Sequence, residues 1–239
     1  ILVTAGHEMG YQVQFLDKKG LAIRNGGVFS QLVYTRDAED DVQRTPDGTL
    51  SVPIPTDADR AAAYDRRNGI RPTTTPIIPY GRADLLLGVD LLEAVRAIDP
   101  KNPYRVASSQ RTAAVVNTAK TPTILTLMGQ DDFNADALEK SLKQVTRDGH
   151  FFGFNVGDLC ERVLDSKLYA NIMMLGMAFQ KGYLPLTEQA IEKAIRTVIR
   201  HETDRNLRAF NIGRKIAVRP DLFVVGPTRE VESARKAFR

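Results

Sequence analysis

Three short segments of this 239-residue sequence hold residue types that could do chemistry: Arg24-Asn25-Gly26-Gly27, Gly88-Val89-Asp90, and Asn117-Thr118. Gly26 and Gly27 lack the Cβ that normally keeps a backbone away from a ligand, so the pair suits either close approach to a bound group or a sharp turn. Gly88-Val89-Asp90 stands at the end of an apolar run that reads as a buried strand. The C-terminal ends of parallel strands face the usual ligand crevice of α/β sheets. Asp90 is equally suited to capping a following helix, and both uses are compatible. Asn117 closes a second apolar run and belongs on the same sheet edge as Gly88. Its amide can orient a ligand or close its own loop.

None of these segments amounts to a complete catalytic set. His7, His150 and His201 are far apart and lack ligand spacing, so no metal site is expected. The sequence has no Gly-x-Ser-x-Gly elbow, no Gly-x-x-x-x-Gly-Lys-Ser/Thr phosphate loop and no Gly-x-Gly-x-x-Gly. Cys160 is the single cysteine. It cannot form an internal disulfide, which points to a reducing, cytoplasmic setting. Nor can one cysteine supply the roughly four thiolates of an iron–sulfur cluster. Its helical surroundings, Asp158-Leu159-Cys160-Glu161-Arg162, read as those of a buried, unreactive thiol.

The elements that must position these residues can be read from periodicity. Residues 12–16 alternate as a short strand, residues 17–27 read as a loop, and residues 28–35 form a longer strand. Residues 37–82 hold Pro46, Pro53, Pro55, Pro72, Pro76 and Pro79 among many Asp, Arg and Thr side chains. That density of proline stops regular elements, leaving a long excursion with at most one short helix over residues 57–65. Residues 83–89 and 112–117 are continuous apolar runs, each a buried strand, with a helix over 91–98 between them. Residues 134–147 show helical spacing, 151–154 read as a last core strand, and 159–164 as a short helix. Residues 167–181 are apolar on nearly every face and include Met173, Met174 and Met177. Such a helix is buried, with methionine as core filler, although the Met cluster could also line a pocket. Gly182 stops it, and Thr187 caps a helix whose apolar face is Ile191, Ala194, Ile195, Val198 and Ile199.

Buried strand, helix and buried strand in alternation predict an α/β fold: a three-layer, mostly parallel Rossmann-like sheet with a helical C-terminal half. Residues 1–155 are expected to form the sheet domain with its excursion. Residues 156–239 are expected to be a helical extension on the same domain, ending in a basic tail. At 43% hydrophobic residues the chain can bury a core of that size. The net charge of +4, from 33 basic and 29 acidic residues, is spread along the sequence rather than gathered in a stripe. That excludes an electrostatic nucleic-acid binder, and the absence of a long uncharged apolar run excludes a spanning helix. The chain opens on Ile1 with regular structure starting mid-stride, so it is expected to be part of a longer polypeptide; no signal peptide is visible.

Six stretches in order resemble one family. Gly20-Leu21-Ala22-Ile23-Arg24-Asn25-Gly26-Gly27-Val28-Phe29-Ser30 resembles the Gly-Leu-Ala-Gln-Lys/Arg-Gly-Gly-x-x-x-Ser segment in the gamma domain of pyruvate and 2-oxoacid:ferredoxin oxidoreductases. Ala83-Asp84-Leu85-Leu86-Leu87-Gly88-Val89-Asp90 is similar to that family's Ala-Asp-Leu-x-Leu-Gly-x-Asp, and Ala114-Val115-Val116-Asn117-Thr118 to its Val-Val-Asn strand end. Leu175-Gly176 with Gln180-Lys181-Gly182, then Ile191-Glu192-Lys193-Ala194-Ile195 and Asn206-Leu207-Arg208-Ala209-Phe210-Asn211-Ile212-Gly213-Arg214, resemble the indolepyruvate oxidoreductase branch. The sequence departs from the pattern in lacking the Gln of the first motif and in the length of residues 37–82.

The resemblance implies an accessory, gamma-like subunit or domain of a 2-oxoacid:acceptor oxidoreductase, oxidising indolepyruvate or another aryl pyruvate to the acyl-CoA. It implies thiamine diphosphate and [4Fe-4S] clusters in partner domains, none of them bound by this chain alone, with CoA as co-substrate. It further implies a thiamine- and cluster-bearing catalytic subunit as partner, and ferredoxin or a similar acceptor reached through it. Gly26, Gly27, Ser30 and Asn117 would border the cofactor or substrate channel, and this chain would hold no catalytic residue. The alternatives are a nucleotide-binding α/β dehydrogenase domain and a non-catalytic scaffold subunit.

Overall fold

A computed structural model of the protein describes residues 1–18, 29–35, 43–44, 50–51, 75–99, 101, 105–120 and 134–223. Helix α1 (Leu2–Glu8) leads into an antiparallel pair, β1 (Gln12–Lys18) and β2 (Phe29–Thr35). Two-residue strands β3 (Gln43–Arg44) and β4 (Leu50–Ser51) form a second antiparallel pair. A three-stranded parallel sheet follows, ordered β5 (Leu85–Gly88), β6 (Ala113–Asn117), β7 (Phe151–Phe154). Helix α2 (Leu91–Arg96) lies between β5 and β6, and α3 (Ala135–Gln144) between β6 and β7. After β7 come α4 (Val156–Leu164), a 3-10 turn (Lys167–Tyr169), α5 (Ala170–Gln180), α6 (Glu188–Val198), α7 (Thr203–Val218) and a last 3-10 turn (Pro220–Phe223).

The two-residue period of β6 divides the core. Ala114 and Val116 face α2 and α3 with Leu91, Ala94 and Leu142, while Val115 faces the C-terminal helices. Leu86 and Phe151 join the first cluster; Leu85, Leu87, Phe152 and Phe154 join the second. Helices therefore cover both faces, giving the three-layer α/β arrangement in which strands read as unbroken apolar runs.

The second cluster is built around α5, whose Met173, Met174 and Met177 are fully buried. An all-apolar helix is stable only when covered on every side. Here α5 has the sheet on one side and α7 on another, and at the α5–α7 crossing neither helix has room for a side chain. A Cβ on Gly176 would fall on the carbonyl oxygen of Phe210, 3.0 Å from its carbon. One on Gly213 would fall on the carbonyl oxygen of Met173, 2.8 Å from its carbon. Arg214 fastens the same region. Its guanidinium donates to Gln180 (3.0 Å) and Asn211 (3.2 Å), pairs with Glu188, and lies over the rings of Phe179 and Phe210.

Several elements differ from the sequence expectation. β1 runs two residues beyond Leu16, because the ladder continues through Asp17↔Ser30 and Lys18↔Phe29. The excursion holds the β3–β4 pair where no strand was expected. The short helix expected over residues 57–65 lies outside the described residues, as does the basic tail beyond Phe223. Residues 167–181 form two elements rather than one, since Ser166 Oγ accepts from Leu168 N (3.2 Å) to cap a separate 3-10 turn, and Tyr169 hydrogen-bonds Glu202. Helix α3 stops at Gln144, short of residue 147. Val198 ends α6 at 48% exposure instead of joining its buried face. The described part of the excursion's end is docked: Gln31, buried in β2, accepts from Ile78 N (2.7 Å), and Ser108 Oγ donates to the Gly81 carbonyl (2.8 Å).

Candidate functional site

The C-terminal edge of the parallel sheet brings Gly88, Asp90 and Asn117 together. Asp90 caps α2, its Oδ1 accepting from Glu93 N at 3.0 Å. Gly88 is buried, and a Cβ there would meet Ala94 Cβ at 2.7 Å and Val116 at 3.2 Å, so the missing side chain lets α2 close on the sheet. Asn117 is also buried. Its Nδ2 donates to the Val89 carbonyl (3.1 Å), linking the ends of β5 and β6. Its Oδ1 accepts from Ala119 N (3.1 Å), Val156 N (3.1 Å) and Gly157 N (3.3 Å). The amide thus forms an Asx turn and at the same time covers the first two N–H groups of α4. Of the two uses open to Asn117 in the sequence, closing its own loop is the one with visible partners.

The third N–H of α4 is taken by Asn155. Its Oδ1 accepts from Asp158 N (3.2 Å), and its Nδ2 donates back to Asp158 Oδ2 (2.8 Å). This reciprocal cap was missed in the sequence, although Asn-x-x-Asp ahead of an apolar run is a capping-box pattern. Gly157 was missed as well: a Cβ there would press on Ala119 Cβ at 3.1 Å, and nothing in the local sequence reports that contact. A helix N-terminus beside a sheet edge is a common anion site, but here all three leading donors have internal partners.

Ser30 lies elsewhere, on the β1–β2 pair, where its exposed Oγ donates to Asp17 Oδ1 at 2.8 Å. Gly26 and Gly27 lie outside the described residues. The histidines are dispersed. His7 is in α1, His201 is in the link before α7, and His150 accepts from Arg147 (3.1 Å) and stacks near Tyr183 at 5.7 Å between centroids. Among the described residues no three His, Cys, Asp or Glu side chains gather as a cation site, and no helix is long and apolar enough to cross a membrane. Cys160 is buried in α4, and burial pushes its thiol up to about 11, away from the thiolate a nucleophile needs. Among the described residues the edge therefore offers backbone groups, the Asn117 amide and the Asp90 carboxylate, each already engaged in capping or loop closure.

Comparison with known proteins sharpens this picture. The family model described as pyruvate ferredoxin/flavodoxin oxidoreductase matches residues 1–216. An indolepyruvate oxidoreductase subunit IorB of Archaeoglobus fulgidus is 26% identical over 163 residues, spanning 67% of this chain and 76% of that protein. The subunit of the same name from Methanothermobacter thermautotrophicus is 30% identical over 139 residues, spanning 57% of this chain and 66% of its own length. Among solved structures, the gamma subunit of a keto/oxoacid ferredoxin oxidoreductase from Geobacter sulfurreducens has a TM-score of 0.48 at 15% identity, covering 91% of this chain and 86% of that one. Pyruvate oxidoreductase subunit PORC of Thermotoga maritima has a TM-score of 0.48 at 18% identity, with 90% and 84% covered. The match over residues 1–216 takes in the parallel sheet, its Asn117 edge and the α5–α7 crossing, and on it the chain belongs to the pyruvate ferredoxin/flavodoxin oxidoreductase family.

Proposed function

We propose that this chain is the accessory, gamma-type subunit or domain of a 2-oxoacid:acceptor oxidoreductase that converts indolepyruvate or another aryl pyruvate to its acyl-CoA. The observation that carries the reading is the family match over residues 1–216, joined to relatives named as indolepyruvate oxidoreductase subunits. The aryl preference rests on those names and on the sequence motifs of the C-terminal helices.

In enzymes of this kind, thiamine diphosphate supplies the carbanion chemistry and iron–sulfur clusters carry the electrons. The residues of this chain do not fit the cluster: it needs about four thiolates, and the sequence has Cys160 alone, buried in α4. No thiamine-binding Gly-Asp-Gly…Asn motif is present either. We assign both groups to partner domains of the enzyme, which also meet the ferredoxin-like acceptor, and no step is assigned to side chains of this chain. Its part is to complete the assembly and to border the CoA or substrate channel with the Gly26-Gly27 segment, Ser30 and the Asn117 edge.

Reconstitution tests this directly. The chain alone should not reduce a viologen dye with indolepyruvate and CoA, and activity should appear when it is co-expressed with a thiamine- and cluster-bearing subunit. In that complex Gly26→Val should lower activity or weaken the CoA response while the chain stays folded. Dye reduction by the purified chain alone would overturn the accessory role. Full activity of the partner without this chain would reduce it to a bystander.

A further inference from the structure

We propose that the N-terminal edge of the parallel sheet, opposite the Asn117 edge, is a docking surface for a carboxylate-rich face of a partner protein. The topology itself gathers the charge. Because β5, β6 and β7 are parallel, the segments entering them share one edge, and each brings an arginine: Arg82 before Leu85, Arg111 before Ala113 and Arg147 before Phe151. Hydrogen bonds weld the three entries together. Ala83 N donates to Val106, Thr112 Oγ1 to Ala83, and Arg147 N to Thr112 (2.8 Å).

Two further cations extend the edge, and both rest on aromatic rings. Arg105 lies 4.5 Å from the ring centroid of Tyr80, an exposed residue, and Lys181 lies 4.6 Å from that of Phe152. Arg147 is held by His150, whose ring meets Tyr183. Cations near helix C-termini are expected from the helix dipole, which accounts for Lys181 beyond α5. It does not account for Arg82 or Arg111, which enter their strands from loops.

Against these five cations, the carboxylates among the described residues of the three strand entries are the exposed Asp84 and Asp148 and the half-buried Asp99; Asp84 is paired to Arg111 at 2.7 Å, and Asp99 accepts from Lys101 N at 2.9 Å. Arginine beside exposed tyrosine, on a rigid frame, is the composition that protein interfaces favour. The interspersed carboxylates disfavour the continuous phosphate track of a nucleic acid. An acidic protein face is accordingly the occupant. The inference rests on the accessory-subunit reading for the partner's identity, but its surface is separate from the residues placed at the channel.

The test uses the full chain and the co-expressed thiamine-bearing subunit as probe, with association followed by biolayer interferometry at low and roughly 0.5 M salt, where exposed charges are screened. The triple variant Arg82→Glu/Arg147→Glu/Lys181→Glu should slow association at least about tenfold at low salt, and the difference should collapse at high salt. The Gln triple should fall between, which separates charge from misfolding, and Lys140→Glu/Lys143→Glu on α3 should match wild type. If wild type binds the probe and the Glu triple binds equally fast, the docking surface is refuted while the subunit assignment stands. If wild type does not bind at all, the subunit assignment fails first. Tight, salt-sensitive binding of a single-stranded oligonucleotide, lost in the triple variant, would overturn the protein occupant.

Discussion

Replacing Gly213 with alanine should unfold more than its one methyl suggests. At an exposed helical site the change gains about 1 kcal/mol of helix propensity. Here the new Cβ would fall on the Met173 carbonyl, 2.8 Å from its carbon and 3.2 Å from its Cα, and both groups are backbone. No rotamer relieves that overlap, so α5 and α7 must move apart by roughly 1 Å, and a gap of that size forfeits a quarter to a half of each dispersion contact across it. A large buried side chain makes about 50 such contacts worth ~0.1 kcal/mol each. Losing about a third of them for Met173 and Phe210 costs roughly 3 kcal/mol, leaving ~2 kcal/mol net after the propensity gain. For a domain of this length that lowers Tm by about 4–8 °C. Thermal and urea unfolding followed by circular dichroism measure it, and Gly176→Ala, whose Cβ would strike the Phe210 carbonyl, should behave alike. A Tm unchanged or raised in both variants would mean the helices do not cross there and would refute the packing argument.

Asn117→Ala should cost roughly 2–4 kcal/mol, because it strands the Val89 carbonyl and the N–H groups of Val156 and Gly157; an unfolding curve matching wild type would deny the loop-closing role. Cys160 should react with a thiol reagent at pH 8 only at the rate of unfolding; rapid labelling of native protein would refute its burial. Because burial raises the Cys160 thiol from 9.0 to about 11, the unfolded chain ionises first. Stability is therefore complete below pH 9 and lost as pH climbs towards 11, by about 3 kcal/mol in all. Tyr34, also raised by burial and by Tyr11, adds to that alkaline loss, and Cys160→Ala should flatten the decline between pH 9 and 11 in chemical unfolding.

What the sequence made legible was whatever leaves a local pattern. The apolar runs over residues 83–89 and 112–117 gave β5 and β6, residues 151–154 gave β7 to the residue, and Thr187 marked the start of α6. Helix α7 was quoted only as part of a family motif. Its buried positions, such as Asn206, Phe210 and Gly213, are interleaved with Arg208, Arg214 and Lys215, and that pattern hides the periodicity of an element packed along one crowded face. At the candidate site, Asp90 was readable because a cap acts on its own chain three residues on. Asn117 left two uses open, because its partners Val156 and Gly157 lie 39 and 40 residues away. Gly176 and Gly213 looked like family signature and turned out to be clearance between helices, which is decided by the opposing backbone and has no local trace.

The amide of Asn117 carries a consequence for any ligand approaching the Gly88–Asn117 edge. It acts as a tethered competitor, already seated on the leading N–H groups of α4 and free of the translational cost an incoming anion must meet. An intramolecular ligand of this kind presents itself at an effective concentration that a free metabolite does not approach. Affinity for a ligand at this edge would then have to come from groups beyond α4. Whatever arrives at or leaves this edge, the end of α4 stays capped by its own chain.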